Sequence, residues 1–385
     1  MKLGYFTDSY LPNVDGVVRS IIDIRGELER RGHEVTVFAP GSKSEISGEM
    51  DSGVLRYRSV KFPPYPQYKL AVFPYYSTRK TVRELGIEAV HCHTMAMMGI
   101  AGRDAAKRAR IPSVATFNTL VPKGISTIAR RKWARSLGEA VLWKAMDWFY
   151  SPFDLITVPS RSIAAVLAGR GFESTVIPNP VDIRRLRPLN KAAARRSIAA
   201  KVGLLPGEKI LLWAGRQSKE KNIDVLLRAF PAVAREADVR FVLTGDGPAR
   251  RELEAIARRS AFSRKIVFTG FVSEQDLLQL YNAADVFGIA STFETQGLAL
   301  LEAMACGVPV VGADSLAIPE VVHDNRNGFL FEPFDEQACA EKILKVLGAG
   351  AARKKLLSQK ARCTAEKFAV EPIAGKWERA YSKLL

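Results

Sequence analysis

Residues 291–312, STFETQGLALLEAMACGVPVVG, most constrain what this chain can fold into. A short apolar run ends at Ala290, a second spans 308–311, and good helix formers fill 297–305 between them. Strand, loop, helix, strand is the unit of parallel sheets, because parallel neighbours need a crossover and the usual crossover is a helix. Two carboxylates eight residues apart mark the unit: Glu294 in the loop at the strand's carboxyl end, Glu302 about two turns along the helix. Ligands of open α/β sheets bind at that end. The helix start, Gln296-Gly297-Leu298, offers backbone N–H groups to an oxygen-rich ligand. A sugar near Glu294 and a ribose near Glu302 fit the spacing. Taken alone, Glu294 is better explained as a helix cap and Glu302 as an ordinary exposed side chain; the two together around a free helix start are not.

The same unit recurs along the chain. Residues 2–7 form a strand, a loop passes Pro12 and Gly16, and 17–31 form a helix with Val18, Ile21, Ile22, Arg25 and Leu28 on one side. Gly32 ends that helix, and 35–39 form the next strand. Further strands are predicted at 87–92, 114–117, 155–158 and 175–177, then at 209–214, 240–244, 265–269, 286–289 and 308–311. At 385 residues the chain exceeds the ~250–300 that one core supports, so two domains are expected. The junction falls at Pro178-Asn179-Pro180-Val181-Asp182. The first loop, DSYLPNVDGVV, lacks the G-x-G-x-x-G fingerprint of dinucleotide enzymes, although Gly16 permits close approach of a phosphate.

In the second half, Gly215-Arg216-Gln217-Ser218-Lys219-Glu220-Lys221-Asn222 follows a strand and precedes a helix. Arg216 and Lys221 bring two cations to a helix start, where a diphosphate leaving group would be stabilised electrostatically. Thr244-Gly245-Asp246-Gly247-Pro248 and Gly270-Phe271-Val272 follow the next two strands, so all these loops fall at carboxyl strand ends of one domain. A solvated basic loop and ordinary glycine turns explain each motif taken singly.

The formal net charge is +17, and residues 1–190 hold 28 Lys+Arg against 17 Asp+Glu. Such an excess suits an anionic partner: nucleic acid, acidic membrane or phosphorylated ligand. The segment 123–150 concentrates Lys123, Arg130, Arg131, Lys132, Arg135 and Lys144 with Trp133, Trp143 and Trp148. At ~100° per residue, Trp133, Leu137, Val141 and Trp148 share one side and Arg131, Lys132 and Arg135 lie roughly opposite, as on a helix resting on an anionic membrane. Inward-packed tryptophans on a domain helix are the alternative. The stretch 61–76, KFPPYPQYKLAVFPYY, has too many prolines for a regular element and is expected to be a packed loop, part of an acceptor site or a lid over a core. His91 and His93 share a strand face but have no third ligand nearby in sequence, and the four cysteines show neither zinc nor disulfide spacing. The start of the chain has no secretory apolar core and no apolar run approaches ~18–20 residues, so an intracellular protein is expected. No nucleic-acid motif accompanies the charge.

The E-x7-E run, with ETQGL and EAMACGVPVV around it, resembles the retaining glycosyltransferases of family four, which have the GT-B fold. The resemblance implies two Rossmann-like α/β domains with parallel sheets facing a central cleft: an acceptor domain over 1–186, joined by a helix at 371–385 that packs back on it, and a nucleotide-sugar domain over 187–370. It places Arg216, Lys221, Glu294 and Asn118 in catalysis. Gly16, Gly215, Gly245, Asp246, Gly247, Phe271, Val272, Thr295, Gln296, Gly297, Leu298 and Glu302 fall on the donor, with Glu294 at the sugar hydroxyls and Glu302 at the ribose. It places Lys123, Arg130, Arg131, Lys132, Trp133 and Arg135 at a membrane or acceptor. The co-substrate is a UDP- or GDP-hexose, with no metal or other cofactor, and the reaction retains anomeric configuration by front-face displacement. The acceptor is a membrane lipid or lipid-linked headgroup, as for phosphatidylinositol mannosyltransferases and diacylglycerol glucosyltransferases, on a protein peripheral to the inner face of the cell membrane. Where many members carry His, ATFNTL places Asn118, which can donate a hydrogen bond but cannot titrate. A transferase with a soluble sugar acceptor and a non-catalytic nucleotide-sugar-binding protein are the competing readings.

Overall fold

The computed structural model describes residues 1–13, 15–42, 53–62, 65–118 and 132–385. The chain divides into two compact units, Met1–Pro180 with Val370–Leu385, and Val181–Ala369.

The first unit holds β1 (Lys2–Phe6), β2 (Glu34–Gly41), β3 (Val54–Phe62), β4 (Tyr65–Ala71), β5 (Ala89–Cys92), β6 (Ser113–Thr116), β7 (Leu155–Val158) and β8 (Thr175–Val176). They form one sheet in the order β4-β3-β2-β1-β5-β6-β7-β8. All pairs are parallel except β3–β4. The helix Gly16–Arg30 starts where the Asp15 carboxylate accepts from the Val18 N–H. Its Val18, Ile21 and Leu28 are buried at the spacing of one helical face. They share a core with Ile373, Ala374, Trp377 and Tyr381 of the C-terminal helix Val370–Ser382.

A buried chain of polar groups crosses this core. Thr157 Oγ1 meets Thr116 Oγ1 at 2.8 Å, Thr116 Oγ1 meets His91 Nε2 at 2.6 Å, His91 Nδ1 meets Tyr381 Oη at 2.7 Å, and Tyr381 Oη meets Tyr5 Oη at 2.9 Å. His91 thus spends both ring nitrogens on hydroxyl groups, while the His93 ring packs against it, tilted by 34° with centroids 3.9 Å apart. Burial holds both imidazoles neutral, His93 down to about 3 and His91 well below its ordinary value.

The stretch 61–76 corrects the expectation of an irregular loop. It supplies the end of β3, all of β4 and the start of the helix Tyr75–Glu84. Pro66 fits because β4 is the edge strand, where a missing N–H breaks no ladder toward a further neighbour.

The second unit holds β9 (Lys209–Ala214), β10 (Val239–Thr244), β11 (Ile266–Gly270), β12 (Val286–Ile289), β13 (Val310–Ala313) and β14 (Gly328–Phe331). The order is β11-β10-β9-β12-β13-β14, parallel throughout. Numbered within the unit this is 3-2-1-4-5-6, the doubly wound order, and its reversal lies between β9 and β12. Along β9, Leu211 and Trp213 join one core while Ile210, Leu212 and Ala214 join another. Both sheet faces are therefore covered, which is why the strand reads as an unbroken apolar run.

Candidate active site

The reversal between β9 and β12 sets the loops Gly215–Asn222 and 290–297 side by side at the carboxyl end of the second sheet. The chain leaves β9 through Gly215 at φ +144° and makes a 3-10 turn at Lys219–Lys221. It enters the helix Ile223–Glu236 through Asn222 at φ +47°. The Asn222 amide donates to the Ala290 carbonyl (3.3 Å) and to Thr292 Oγ1 (3.1 Å). Ser291 Oγ donates back to the Glu220 carbonyl (3.3 Å). These bonds hold Lys221 where its Nζ meets Glu294 Oε1 at 2.7 Å, with both side chains largely shielded from solvent. The phosphate cation and the sugar carboxylate expected from sequence are thus in direct contact across 73 positions of chain.

Arg216 stays within its own loop. Its Nη2 is 3.2 Å from Glu220 Oε1, and Ser218 Oγ donates to the same oxygen at 2.6 Å. The guanidinium is about half exposed, steered by Glu220 but open to a further anion. Glu302, on the helix Leu298–Ala305, accepts from the buried Tyr281 hydroxyl at 2.8 Å. Burial and the neighbouring Glu302 charge push the Tyr281 hydroxyl well above its ordinary value, so it stays protonated and can donate to Glu302. Gly297 caps this helix at φ +82°, a left-handed position that favours glycine. Thr295 is partly buried and Gln296 buried beside it, and the first-turn N–H groups from Leu298 fall at the same sheet end.

The glycines after β10 have a different cause from ligand approach. A Cβ on Gly245 would lie 2.0 Å from the Gly215 carbonyl oxygen, and one on Gly247 would lie 2.3 Å from that of Gln217. The two loops are laced backbone to backbone: Gly215 N–H donates to Thr244 O, Gln217 N–H to Asp246 O, and Ala249 N–H to Gln217 O. Gly245 N–H in turn donates to Gly270 O, which carries the lacing to the end of β11. Asp246 accepts from the Gly247 N–H (2.7 Å) and from Arg250 (3.3 Å). Beyond β11, Phe271 is exposed and Val272 partly buried.

Gly16 and Asn118 belong to the first unit. Gly16 is the exposed first residue of its helix, and the Asn118 amide donates to the His93 carbonyl at 3.3 Å. The neighbouring Asp8 carboxylate accepts from the Met98 N–H (2.8 Å) and from Thr94 Oγ1 (2.5 Å). Burial raises its carboxyl, and these donors oppose the rise.

Lys123, Arg130 and Arg131 lie outside the described residues, as do the side chains of Lys132, Trp133 and Arg135 at the start of the helix Lys132–Tyr150. Further along that helix the tryptophans split. Trp143 packs under Arg170, whose guanidinium is 4.5 Å from the ring centroid, while Trp148 is 56% exposed with Arg103 at 4.0 Å. Among the described residues no group of three His, Cys, Asp or Glu is arranged to hold a metal ion, and no helix is long and apolar enough to cross a membrane.

Sequence reasoning gave no role to Glu220, Ser218, Asn222 or Tyr281. The first three sit inside the quoted GRQSKEKN motif, where a carboxylate beside two cations is the available signal. Tyr281 lies 21 positions from its partner and carries none.

Residues 14–185 match a family model described as Glycosyltransferase Family 4, and residues 208–349 match one described as Glycosyl transferases group 1. An alpha-monoglucosyldiacylglycerol synthase of Streptococcus pneumoniae is 31% identical over 351 residues, covering 90% of this chain and 78% of that protein. A GDP-mannose-dependent alpha-mannosyltransferase of Corynebacterium glutamicum is 26% identical, covering 89% and 81%. Among solved structures, Anabaena HepE in complex with UDP and glucose superposes with a TM-score of 0.77 at 22% identity over the full length of both chains, a likeness of GT-B fold.

Proposed function

The chain belongs to glycosyltransferase family 4, and from that premise we propose that it moves a hexose from a nucleoside diphosphate sugar to a hydroxyl of a membrane lipid or lipid-linked headgroup. The observation that carries the donor half is the Lys221–Glu294 contact at the strand-order reversal of the second sheet, where open α/β sheets take their ligands.

In this reading the donor diphosphate takes Lys221 as a point charge and Arg216 as a planar donor pair, and Glu294, relieved of Lys221, accepts from sugar hydroxyls. Both cations come from one laced loop and need little reorganisation as the leaving diphosphate gains charge. The bond from the anomeric carbon to the diphosphate oxygen breaks, and the bond to the acceptor oxygen forms on the same face. The acceptor proton passes to a donor phosphate oxygen, so configuration is retained. Glu302, oriented by Tyr281, holds the ribose, and Gly245, Asp246, Gly247, Phe271 and Val272 border the nucleoside. Asn118 supplies a neutral hydrogen-bond donor. Asn118→Ala is expected to lower turnover more than tenfold, and near wild-type rates would remove it from the site.

A lipid acceptor draws on the diacylglycerol in the pneumococcal relative's name and on the exposed Trp148 and Val141 of the helix Lys132–Tyr150. The base is left between uracil and guanine by relatives and neighbours of both kinds. A thermal-shift panel of UDP- and GDP-sugars selects the donor, and transfer to diacylglycerol and to phosphatidylinositol in detergent micelles then tests the acceptor. Transfer that vanishes in Glu294→Gln and Arg216→Ala supports an enzyme. Clear donor binding with no turnover by the wild type supports a non-catalytic binder, and transfer to soluble sugars alone supports the soluble acceptor.

A further inference from the structure

The turn that follows β13 carries a bulky side chain where glycine would serve the fold better. β12 and β13 pair in parallel with Ile289 beside Gly312. Residues 290–297, which carry Glu294, and residues 314–317 therefore leave the second sheet next to each other at its carboxyl end. Leu316 stands in the second of these segments at φ +46°, a left-handed position that bulky side chains rarely adopt.

The turn is pinned on both sides. Asp314 N–H donates to the Phe331 carbonyl of β14 (2.8 Å), and Ser315 N–H donates to the Ala313 carbonyl (2.8 Å). Ile318 N–H donates back to the Ser315 carbonyl at 3.2 Å. Ala313, Ala317 and Ile318 are buried, and a Cβ on Gly312 would lie 2.7 Å from Ile318 Cγ2. These anchors dictate the backbone at Leu316, so the strain has no local way to relax. Leu316 itself is only partly buried and, among the described residues, belongs to neither hydrophobic core of its unit. Core packing does not offset the strain, and strain of that kind at the ligand-binding end of a sheet points to a use outside folding.

Asp314 supplies a second, independent observation. It is exposed, and among the described residues its carboxylate makes no hydrogen bond or ion pair. A free carboxylate accepts hydrogen bonds from hydroxyl groups, and an apolar side chain beside it suits the C–H surface of a sugar ring. A diphosphate would be repelled by Asp314, so the sugar is the part of a donor that this turn can meet.

We infer that Asp314 and Leu316 form a hexose-recognising wall beside Glu294: Asp314 accepts from a hydroxyl of the donor sugar, and Leu316 packs on its C–H surface. The inference rests on the donor-site reading and extends it, because it names the residues that choose among hexoses.

The test is calorimetric titration of wild type, Leu316→Gly, Asp314→Asn and Glu294→Gln with the sugar nucleotide selected by thermal shift and with the bare nucleoside diphosphate. Asp314→Asn is expected to weaken the sugar nucleotide ~10-fold and Leu316→Gly about fivefold, and both bind the bare diphosphate at least as well as wild type. Asp314→Asn also reduces the preference between two epimeric hexoses on the same nucleotide, measured as the ratio of kcat/KM values, about fivefold or more. The melting temperature of Leu316→Gly does not fall, because relief of the strained backbone offsets the greater freedom of glycine in the unfolded chain. Sugar-nucleotide affinities equal to wild type in both turn variants overturn the inference. So does an equal loss of sugar nucleotide and bare diphosphate, or a Leu316→Gly melt well below wild type, which would make Leu316 a packing residue. Loss of the sugar nucleotide in Glu294→Gln alone sinks this inference and leaves the donor reading standing, whereas a wild type that binds no sugar nucleotide sinks both.

Discussion

Replacing Gly247 by Ala isolates the loop lacing from any demand for glycine's backbone freedom, because Gly247 is not at positive φ. The added Cβ would sit 2.3 Å from the Gln217 carbonyl oxygen and 2.8 Å from that residue's carbonyl carbon and amide nitrogen. Ordinary contact begins at 3.4 Å, so the Gln217 peptide must retreat by about 1 Å. That peptide holds two bonds, Gln217 N–H to Asp246 O and Ala249 N–H to Gln217 O, both 2.9 Å. Losing both at about 1 kcal/mol each, with ~1 kcal/mol of overpacking strain, gives a loss of about 3 kcal/mol. For a unit of roughly 190 residues this lowers the melting temperature by about 6–12 °C. Differential scanning calorimetry reads the shift. Gly26→Ala is the control: its Cβ would meet nothing within 4 Å at an exposed position of the helix Gly16–Arg30, and it is expected to stabilise by ~1 kcal/mol. A Gly247→Ala melt within about 1 °C of wild type would refute the lacing, because it would mean that the Gln217 peptide gives way freely.

Three further outcomes are expected. His91 and His93 are neutral in the native first unit, so the unfolded chain takes up protons first below about pH 6.5 and their contribution to stability, intact above that value, is lost as pH falls toward 3. At pH 5 His93 alone accounts for about 2 kcal/mol, and urea titrations from pH 7 to 5 should show a shallower decline for His93→Leu than for wild type. Tyr281→Phe removes the 2.8 Å hydroxyl–carboxylate bond to Glu302, so the donor Kd is expected to rise ~10-fold in calorimetric titration with kcat little changed. Glu220→Gln releases Arg216 from its carboxylate partner and should weaken donor binding severalfold. Unchanged affinity would leave Glu220 a bystander in the loop.

Much of the fold was legible because most strands are buried on both faces and read as apolar runs between turns, as β9 and β12 do. The strands that escaped are those lacking that signature. β3, VLRYRSVKF, alternates polar and apolar residues, β4 carries a proline on a sheet edge, and β14 is only GFLF. The cationic loop and the E-x7-E pair were readable as motifs, and the Lys221–Glu294 contact follows once the two loops flank the strand-order reversal. What local sequence could not show is how the charges are held: Glu220 under Arg216, Tyr281 against Glu302, and Asn222 bridging two loops. The glycines after β10 were visible, but their reason was not, since it lies in the backbone of a loop about thirty positions earlier. Likewise His91, with the His93 ring against it, is part of a core hydrogen-bond chain whose other members come from four separate elements.

The central claim is that charges on the β9 and β12 loops of the second unit hold a nucleoside diphosphate sugar. Titrating the donor selected by the thermal-shift panel into wild type, Lys221→Ala and Glu294→Gln, alongside the bare nucleoside diphosphate, tests it most directly. The account predicts that Lys221→Ala weakens both ligands at least ~10-fold, while Glu294→Gln weakens the sugar-bearing donor and spares the bare diphosphate. Wild-type affinity of Lys221→Ala for both ligands would contradict it.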